Sequence, residues 1–264
     1  MRFKITLIPE QTKGDIILPI NYQYELSAFI YHTIHTGNHE FGNWLHENGF
    51  IDGNKKFKLF TFSRLRIPKF KQFKDRLIIL SDELYFELSF LPIKITEAFI
   101  SGAFKNCRFS IGDKDSRVSF TIKAIEATSE PVFTNHMKFK ALSPILVTTK
   151  EHENQKYAQY LTPGENDYNE KIKNNLIRKY AAICSYNMKE MDLTHANGFD
   201  FKCVTVPRKK GVDIKVNTPE KSHIIGYDYA FSISGPTELL KTGYYAGFGE
   251  KNSLGFGCCG VLKN

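Results

Sequence analysis

The sequence predicts an α+β chain of two tandem units, each of the order βαββαβ, with a glycine-rich loop near the C-terminus. Three observations carry this. Apolar residues change between a spacing of 2 and one of about 3.6 in that order. The order recurs beyond Glu130-Pro131. Gly247, Gly249, Gly255 and Gly257 crowd just ahead of one last apolar segment. At 264 residues the chain can hold two domains of about 100–150 residues, expected at 1–130 and 131–264.

In chain order, Phe3, Ile5 and Leu7 alternate as a strand that stops near Pro9. Leu26, Phe29, Ile30 and Ile34 then line one face of a helix from about Tyr24 to Thr36. A short helix holds Phe41, Trp44 and Leu45, followed by strands at 57–65, 77–80 and 85–90. Pro92 suits the first turn of a helix reaching about Phe104, and Val118, Phe120, Ile122 and Ile125 mark another strand. This is the ferredoxin-like plan, in which two helices cover one face of a four-stranded sheet and the other face stays open. In the second half a strand near 132–149 precedes a helix from about Asn166 to Met188 and strands at 199–206 and 224–233. Gly235-Pro236 opens a short helix through Leu240, and a strand at 254–262 closes the unit. Pro207-Arg208-Lys209-Lys210-Gly211 reads as a basic turn, the tip of a hairpin.

Composition sets bounds. Apolar residues at 42% and aromatics at 14% suffice for packed cores. A net charge of +8 favours polyanionic partners. The five cysteines, Cys107, Cys184, Cys203, Cys258 and Cys259, have no zinc-like spacing, and an odd count fits reduced thiols. No stretch approaches the roughly 20 apolar residues of a membrane span, so the expected location is the cytoplasm.

The segment 247–257 has the chemistry of a phosphate contact. Its glycines let backbone come close to a ligand at positive φ, and Lys251 adds a cation. The segment is no Walker A loop, because Glu250 precedes Lys251 and Asn252 follows it. It is no dinucleotide fingerprint either, since the ribose-binding acid expected about 20 residues on has no room before Asn264. No nucleotide cofactor is therefore expected.

Among titratable residues, His32, His35, His39 and His46 fall within the first 50 positions. Histidine exchanges protons near neutral pH. His35 and His39 form an i, i+4 pair, but no further ligand spacing points to a metal. Tyr31 lies on the polar flank of the first helix, four residues after Ser27 and four before His35. Pattern alone does not choose among the histidines.

The residues Met1–Lys4, Leu18–Tyr24, the helix bearing Tyr31, Trp44-Leu45-His46-Glu47, Lys58–Ser63 and above all the run Gly247–Gly257 resemble the CRISPR-associated endoribonucleases that cut repeat RNA into guide RNAs, members of the RAMP superfamily. The resemblance runs nearly end to end. It implies two ferredoxin-like domains, cleavage without metal, and a glycine-rich loop before the last strand. It matches Tyr31, His46 and Lys58 to the family's catalytic residues, with Lys55 and Lys56 as rivals in a longer segment 48–57. It further implies RNA contacts from Gly247, Gly249, Lys251, Asn252, Ser253, Gly255 and Gly257, with Arg208 and Lys209 as added backbone grips. Repeat RNA is the partner it implies; a multisubunit CRISPR interference complex and a homodimer are both compatible with the sequence. The alternative from another class is a noncatalytic RNA-binding subunit of such a complex.

Overall fold

The computed structural model describes residues 1–10, 14–149, 159–165, 167–191, 198–216 and 219–262. The N-terminal half runs β1 (Arg2–Pro9), β2 (Ile16–Pro19), α1 (Gln23–Gly37), α2 (His39–Glu47), β3 (Phe50–Asp52), β4 (Lys55–Phe57), β5 (Phe60–Phe62), β6 (Phe70–Phe73), β7 (Arg76–Ile79), β8 (Leu84–Phe90), α3 (Ile93–Lys105), β9 (Arg108–Gly112) and β10 (Arg117–Ala127). Its main sheet has the order β5-β8-β1-β10-β9. The first four of these strands give the antiparallel ferredoxin-like order; β9 is an added edge strand that the sequence pattern did not reveal. Alternation in β1 sends Phe3, Ile5 and Leu7 into the core beneath α1 and α3. Those helices cross so closely that a Cβ on Gly37 would collide with the Ala98 carbonyl, and one on Gly102 with that of Thr33.

Two expectations change here. The run 77–80 does not join the main sheet; β7 pairs with β2 and β6 in a separate three-stranded sheet. The run 57–65 is broken at Leu59, whose φ of 53° turns the chain out of the β3–β4 hairpin and into β5.

The second half contains β11 (His136–Ala141), β12 (Thr148–Thr149), β13 (Gln159–Tyr160), α4 (Tyr168–Tyr186), β14 (Asp200–Cys203), β15 (Arg208–Ile214), β16 (Ser222–Asp228), β17 (Ala230–Ser234), α5 (Thr237–Ala246), a 3₁₀ turn at Asn252–Leu254 and β18 (Cys259–Val261). The sheet order β14-β17-β11-β18 repeats the ferredoxin-like arrangement, over a core that includes Phe139, Leu176, Phe231 and Phe248. Asn166, the expected start of the long helix, lies outside the described residues, and α5 runs six residues beyond Leu240. Arg208–Gly211 is not a turn. It is the start of β15, paired with β16 from Arg208↔Asp228 to Ile214↔Ser222. Val212, Ile214 and Ile224 on that hairpin pack with Phe256 of the glycine-rich segment, and this burial extends the strand through the basic run.

The far face of the first sheet is not wholly open. Arg2 is buried there, donating to the Cys259 carbonyl at 2.8 Å and the Tyr244 carbonyl at 2.6 Å, with its guanidinium 3.6 Å from the Tyr244 ring centre. Thr61 donates to the Phe256 carbonyl at 3.0 Å, and Arg64 pairs with Asp228 at 2.7 Å. These contacts hold the two halves together along one seam, and the glycine-rich loop lies at its end. Among the described residues no helix is long and apolar enough to cross a membrane.

Candidate functional site

The site begins with the end of α2. Asn38 caps its start by accepting from the Phe41 N–H at 3.0 Å. At its other end, Gly49 at φ 68° turns the chain and donates to the Trp44 carbonyl at 3.0 Å. The last-turn carbonyls are taken by lysines. Lys58 Nζ donates to Leu45 O at 2.5 Å and to His46 O at 2.7 Å, while Lys56 Nζ reaches Glu47 O at 3.1 Å. Cations at this negative end of a helix are favoured. The Leu59 turn brings Lys58 back onto α2, so Lys58 is fastened directly beneath His46.

His46 is exposed, and its ring meets Tyr31 edge-on at 5.6 Å. Tyr31 is half-buried and also packs edge-on against Phe60 at 5.3 Å. Burial pushes its phenol up to about 12, with the Ser253 side chain beside the hydroxyl as the lesser, opposing influence. At neutral pH Tyr31 is therefore an uncharged donor. One turn earlier on α1, Ser27 Oγ donates to the Ser253 carbonyl at 2.6 Å. The i, i+4 spacing of Ser27 and Tyr31 thus forms a dock for the glycine-rich loop.

Lys58 is partly exposed. Burial, with Lys56 nearby as the lesser cause, lowers its ammonium to about 8. Lys55 and Lys56 are exposed. A cleft of about 380 Å³ runs from Asn54–Phe60 on one lip to Gly249–Ser253 on the other, with Asn175 and Lys179 of α4 at its floor. Five lysines and one glutamate line it, a surface suited to phosphate.

The loop itself differs from the expectation that its glycines meet a ligand. Gly247, Gly249, Gly255 and Gly257 all have φ between 72° and 88° and are buried against protein. A Cβ on Gly249 would strike the Leu146 carbonyl, and one on Gly257 the Phe248 carbonyl. Asn252 is also buried; its Nδ2 donates to Phe248 O at 3.2 Å and Phe256 O at 3.0 Å, closing the loop on itself. Lys251, left-handed at φ 52°, is exposed, and Ser253 is partly so. The glycines shape the loop, and Lys251 is the side chain it offers to solvent. Arg208 and Lys209 are exposed on β15, beyond the cleft lining, on the hairpin that packs against Phe256.

Lys179 escaped the sequence reading. It is 2% exposed, and its Nζ donates to Gly247 O at 2.7 Å, Gly249 O at 2.7 Å and Asn252 Oδ1 at 2.6 Å. Burial lowers it to about 7, opposed by Glu250. Within a helix whose buried face also carries Ile172, Leu176 and Ile183 among others, a lysine on that face was the available signal. Glu250 turns inward as well, accepting from the Thr148 N–H and hydroxyl at 3.1 Å. His35 and His39 approach to 3.3 Å at an exposed position. Among the described residues no three His, Cys, Asp or Glu side chains converge on one point.

Two ferredoxin-like units, joined along a seam that ends in a lysine-lined cleft with a histidine and a tyrosine packed against residues of its lining, define the class of this protein. Residues 17–126 match the family described as CRISPR-associated protein Cas6, N-terminal, and residues 128–261 that described as CRISPR associated protein Cas6, C-terminal. The chain belongs to the Cas6 family, in agreement with the resemblance read from its motifs. It is 31% identical over 258 residues to the CRISPR-associated endoribonuclease Cas6 1 of Methanocaldococcus jannaschii, covering 97% of this chain and 91% of that protein. It is 32% identical over 267 residues to the CRISPR-associated endoribonuclease Cas6 of Pyrococcus furiosus, covering 100% and 91%. Among solved structures, that of the product of a Cas6-related gene from Pyrococcus furiosus superposes with a TM-score of 0.81 at 25% identity, covering 100% of this chain and 99% of the other. A RAMP protein described as binding different RNA substrates gives 0.80 at 26%, covering 100% of both.

Proposed function

We propose that this protein is a cytoplasmic endoribonuclease that cuts CRISPR repeat RNA in precursor transcripts to release guide RNAs. The ribose 2′-OH beside the scissile bond attacks phosphorus, the bond to the 5′-oxygen breaks, and a 2′,3′-cyclic phosphate and a 5′-OH remain. No metal is required, because the proton transfers and charge stabilisation fall to side chains. One observation carries the reading: Tyr31 of α1, His46 of α2 and Lys58, which follows β4, come together beside one cleft that Lys58 lines on one lip and Lys251 on the other.

His46, exposed and with its carbonyl held by Lys58 of the cleft, transfers the proton. Tyr31, held neutral by burial, orients the reacting groups as a hydrogen-bond donor rather than serving as a ready-made base. Lys58 stabilises the phosphorane charge, its favoured place over Lys55 and Lys56 resting on its two short bonds to Leu45 O and His46 O and on its lesser exposure. Residues 1–130 carry these groups, and residues 131–264 supply the loop. Lys251, Arg208 and Lys209 follow the RNA backbone. Similarity to relatives named endoribonucleases supports an RNA-cutting enzyme.

A second reading, a noncatalytic RNA-binding subunit of a CRISPR complex, draws on 29% identity to the endoribonuclease-like protein Cas6nc of Pyrococcus horikoshii. Incubation with repeat RNA in EDTA separates the two. Cutting that persists, with cyclic-phosphate ends, supports the enzyme; binding without cutting supports the subunit. Replacing the 2′-OH at the cut by hydrogen is expected to abolish cleavage.

A further inference from the structure

The two lips of the cleft are tied to consecutive residues of one helix. Arg178 of α4 turns toward the N-terminal half: its Nε donates to Asp52 Oδ2 at 2.5 Å and its Nη2 to Asp52 O at 2.6 Å. Asp52 belongs to the β3–β4 hairpin that delivers Lys58. Lys179 turns toward the glycine-rich loop and spends all three N–H groups on it, at Gly247, Gly249 and Asn252. Asn252 directly precedes Ser253, whose carbonyl accepts from Ser27 Oγ at 2.6 Å, one turn before Tyr31 on α1, and whose side chain lies beside the Tyr31 hydroxyl. An unbroken series of contacts therefore runs from α4 through Asn252 and Ser253 to Tyr31 and His46, while a parallel one runs through Asp52 to Lys58.

From these contacts we infer that Lys179 is a positioning residue: it sets the glycine-rich loop so that Ser253 aims the Tyr31 phenol toward His46, and with Arg178 it makes α4 the strut that fixes the width of the cleft. Its kinetic consequence rests on the cleavage reading above; its structural consequence does not. A merely space-filling role is at odds with the chemistry. Burying an ammonium is costly, and an apolar side chain of similar volume would fill the site without that cost. The loop gives a reason for the charge, because it turns two backbone carbonyls and one amide oxygen inward at a single point, and three N–H donors on one atom are what satisfies them.

The test pairs kinetics with a signal from Tyr31 itself. In K179M, single-turnover cleavage of repeat RNA at saturation is expected to fall about 10²-fold, as misplacement by an ångström does, with RNA affinity nearly unchanged. K179R is expected to recover much of the rate. With 3-fluorotyrosine at position 31, the ¹⁹F resonance is expected to move in K179M and return toward its original position in K179R. An unmoved resonance overturns the inference, as does a rate loss that appears only as weaker RNA binding. If the unmutated protein binds RNA without cutting, the cleavage reading falls and the fluorine signal alone decides. If K179M does not fold, K179Q, which keeps an amide donor, takes its place with a smaller shift expected; no shift in folded K179Q likewise overturns the inference.

Discussion

The His46 imidazole meets the Tyr31 ring nearly at right angles, 84° between planes and 5.6 Å between centres. Tyr31 comes from the middle of α1 and His46 from the end of α2, and only the tight reversal at Gly37 and Asn38 between those helices lets them touch. A proton-transfer group is typically worth about 10²–10⁴ in rate. H46A is expected to lose cleavage on that scale in single-turnover assays while keeping RNA affinity within a few-fold. Cleavage equal to that of the unmutated protein would remove His46 from the mechanism. Y31F keeps the ring and loses the hydroxyl beside Ser253, so a smaller loss is expected.

Lys58 ties down the α2 end and presents charge to the cleft, whereas Lys55 and Lys56 are exposed. K58M is expected to cost about 10²-fold or more in cleavage rate, comparable to losing one stabilising donor, and K55M little. Because the Lys58 ammonium gives up its proton near pH 8, cleavage at saturating RNA should decline as pH rises through that region. K58R, which stays charged, should carry whatever activity it retains further into the alkaline range. A K58R profile that declines at the same pH would assign the limb to another group.

Stability should respond to pH in the same region, with a definite sign. Lys58 at about 8, Lys179 at about 7 and the N-terminal amine at about 6 are all lowered by burial. Between pH 7 and 9 the unfolded chain therefore holds more protons at these groups than the folded one, so stability should rise with pH. Above about pH 9 the buried thiols of Cys258 and Cys259, both pushed up, oppose that trend, because in the unfolded chain they ionise first. Thermal melts at pH 7, 8 and 9 check this; a melting temperature that falls steadily across them contradicts it.

Lys251 is the exposed cation of the loop, and Arg208 and Lys209 are exposed on the neighbouring hairpin. Each phosphate contact on single-stranded nucleic acid contributes about 0.7 to the slope of log affinity against log salt. K251E is expected to weaken RNA binding and flatten that slope by about this amount or more. An unchanged affinity and slope would make the loop purely structural.

The loop glycines should be intolerant for two separable reasons. Gly257 combines φ of 72° with a Cβ collision at the Phe248 carbonyl, whereas Gly164, at φ 102°, has open space around it. G164A should cost on the order of 1–3 kcal/mol from backbone strain alone. G257A should cost more and lower the melting temperature further. Equal losses in the two variants would mean that the collision relaxes at no expense.

Sequence periodicity was enough to place two βαββαβ units, because alternation in β1 and the Leu26–Phe29–Ile30–Ile34 stripe are local patterns that each element carries within itself. The Gly247–Gly257 run likewise marked a loop of positive φ. Pairing partners were not local. The basic run at Arg208 became a strand because Val212 and Ile214 bury against Phe256, and 77–80 left the main sheet because β2 and β6 were there to receive it.

The candidate site divides in the same way. The chain by itself named the side chains fit for proton transfer and phosphate contact, and their kinship to one family singled out Tyr31, His46 and Lys58. Only the packed molecule set Lys58 against the end of α2, turned the loop glycines inward, and brought Lys179 from α4 under the loop. Of these partners, Lys58 and His46 lie 12 positions apart, and Lys179 and Gly247 lie 68 apart. Such relationships are fixed by which buried surfaces and buried polar atoms must find each other, a condition that no short stretch of sequence contains.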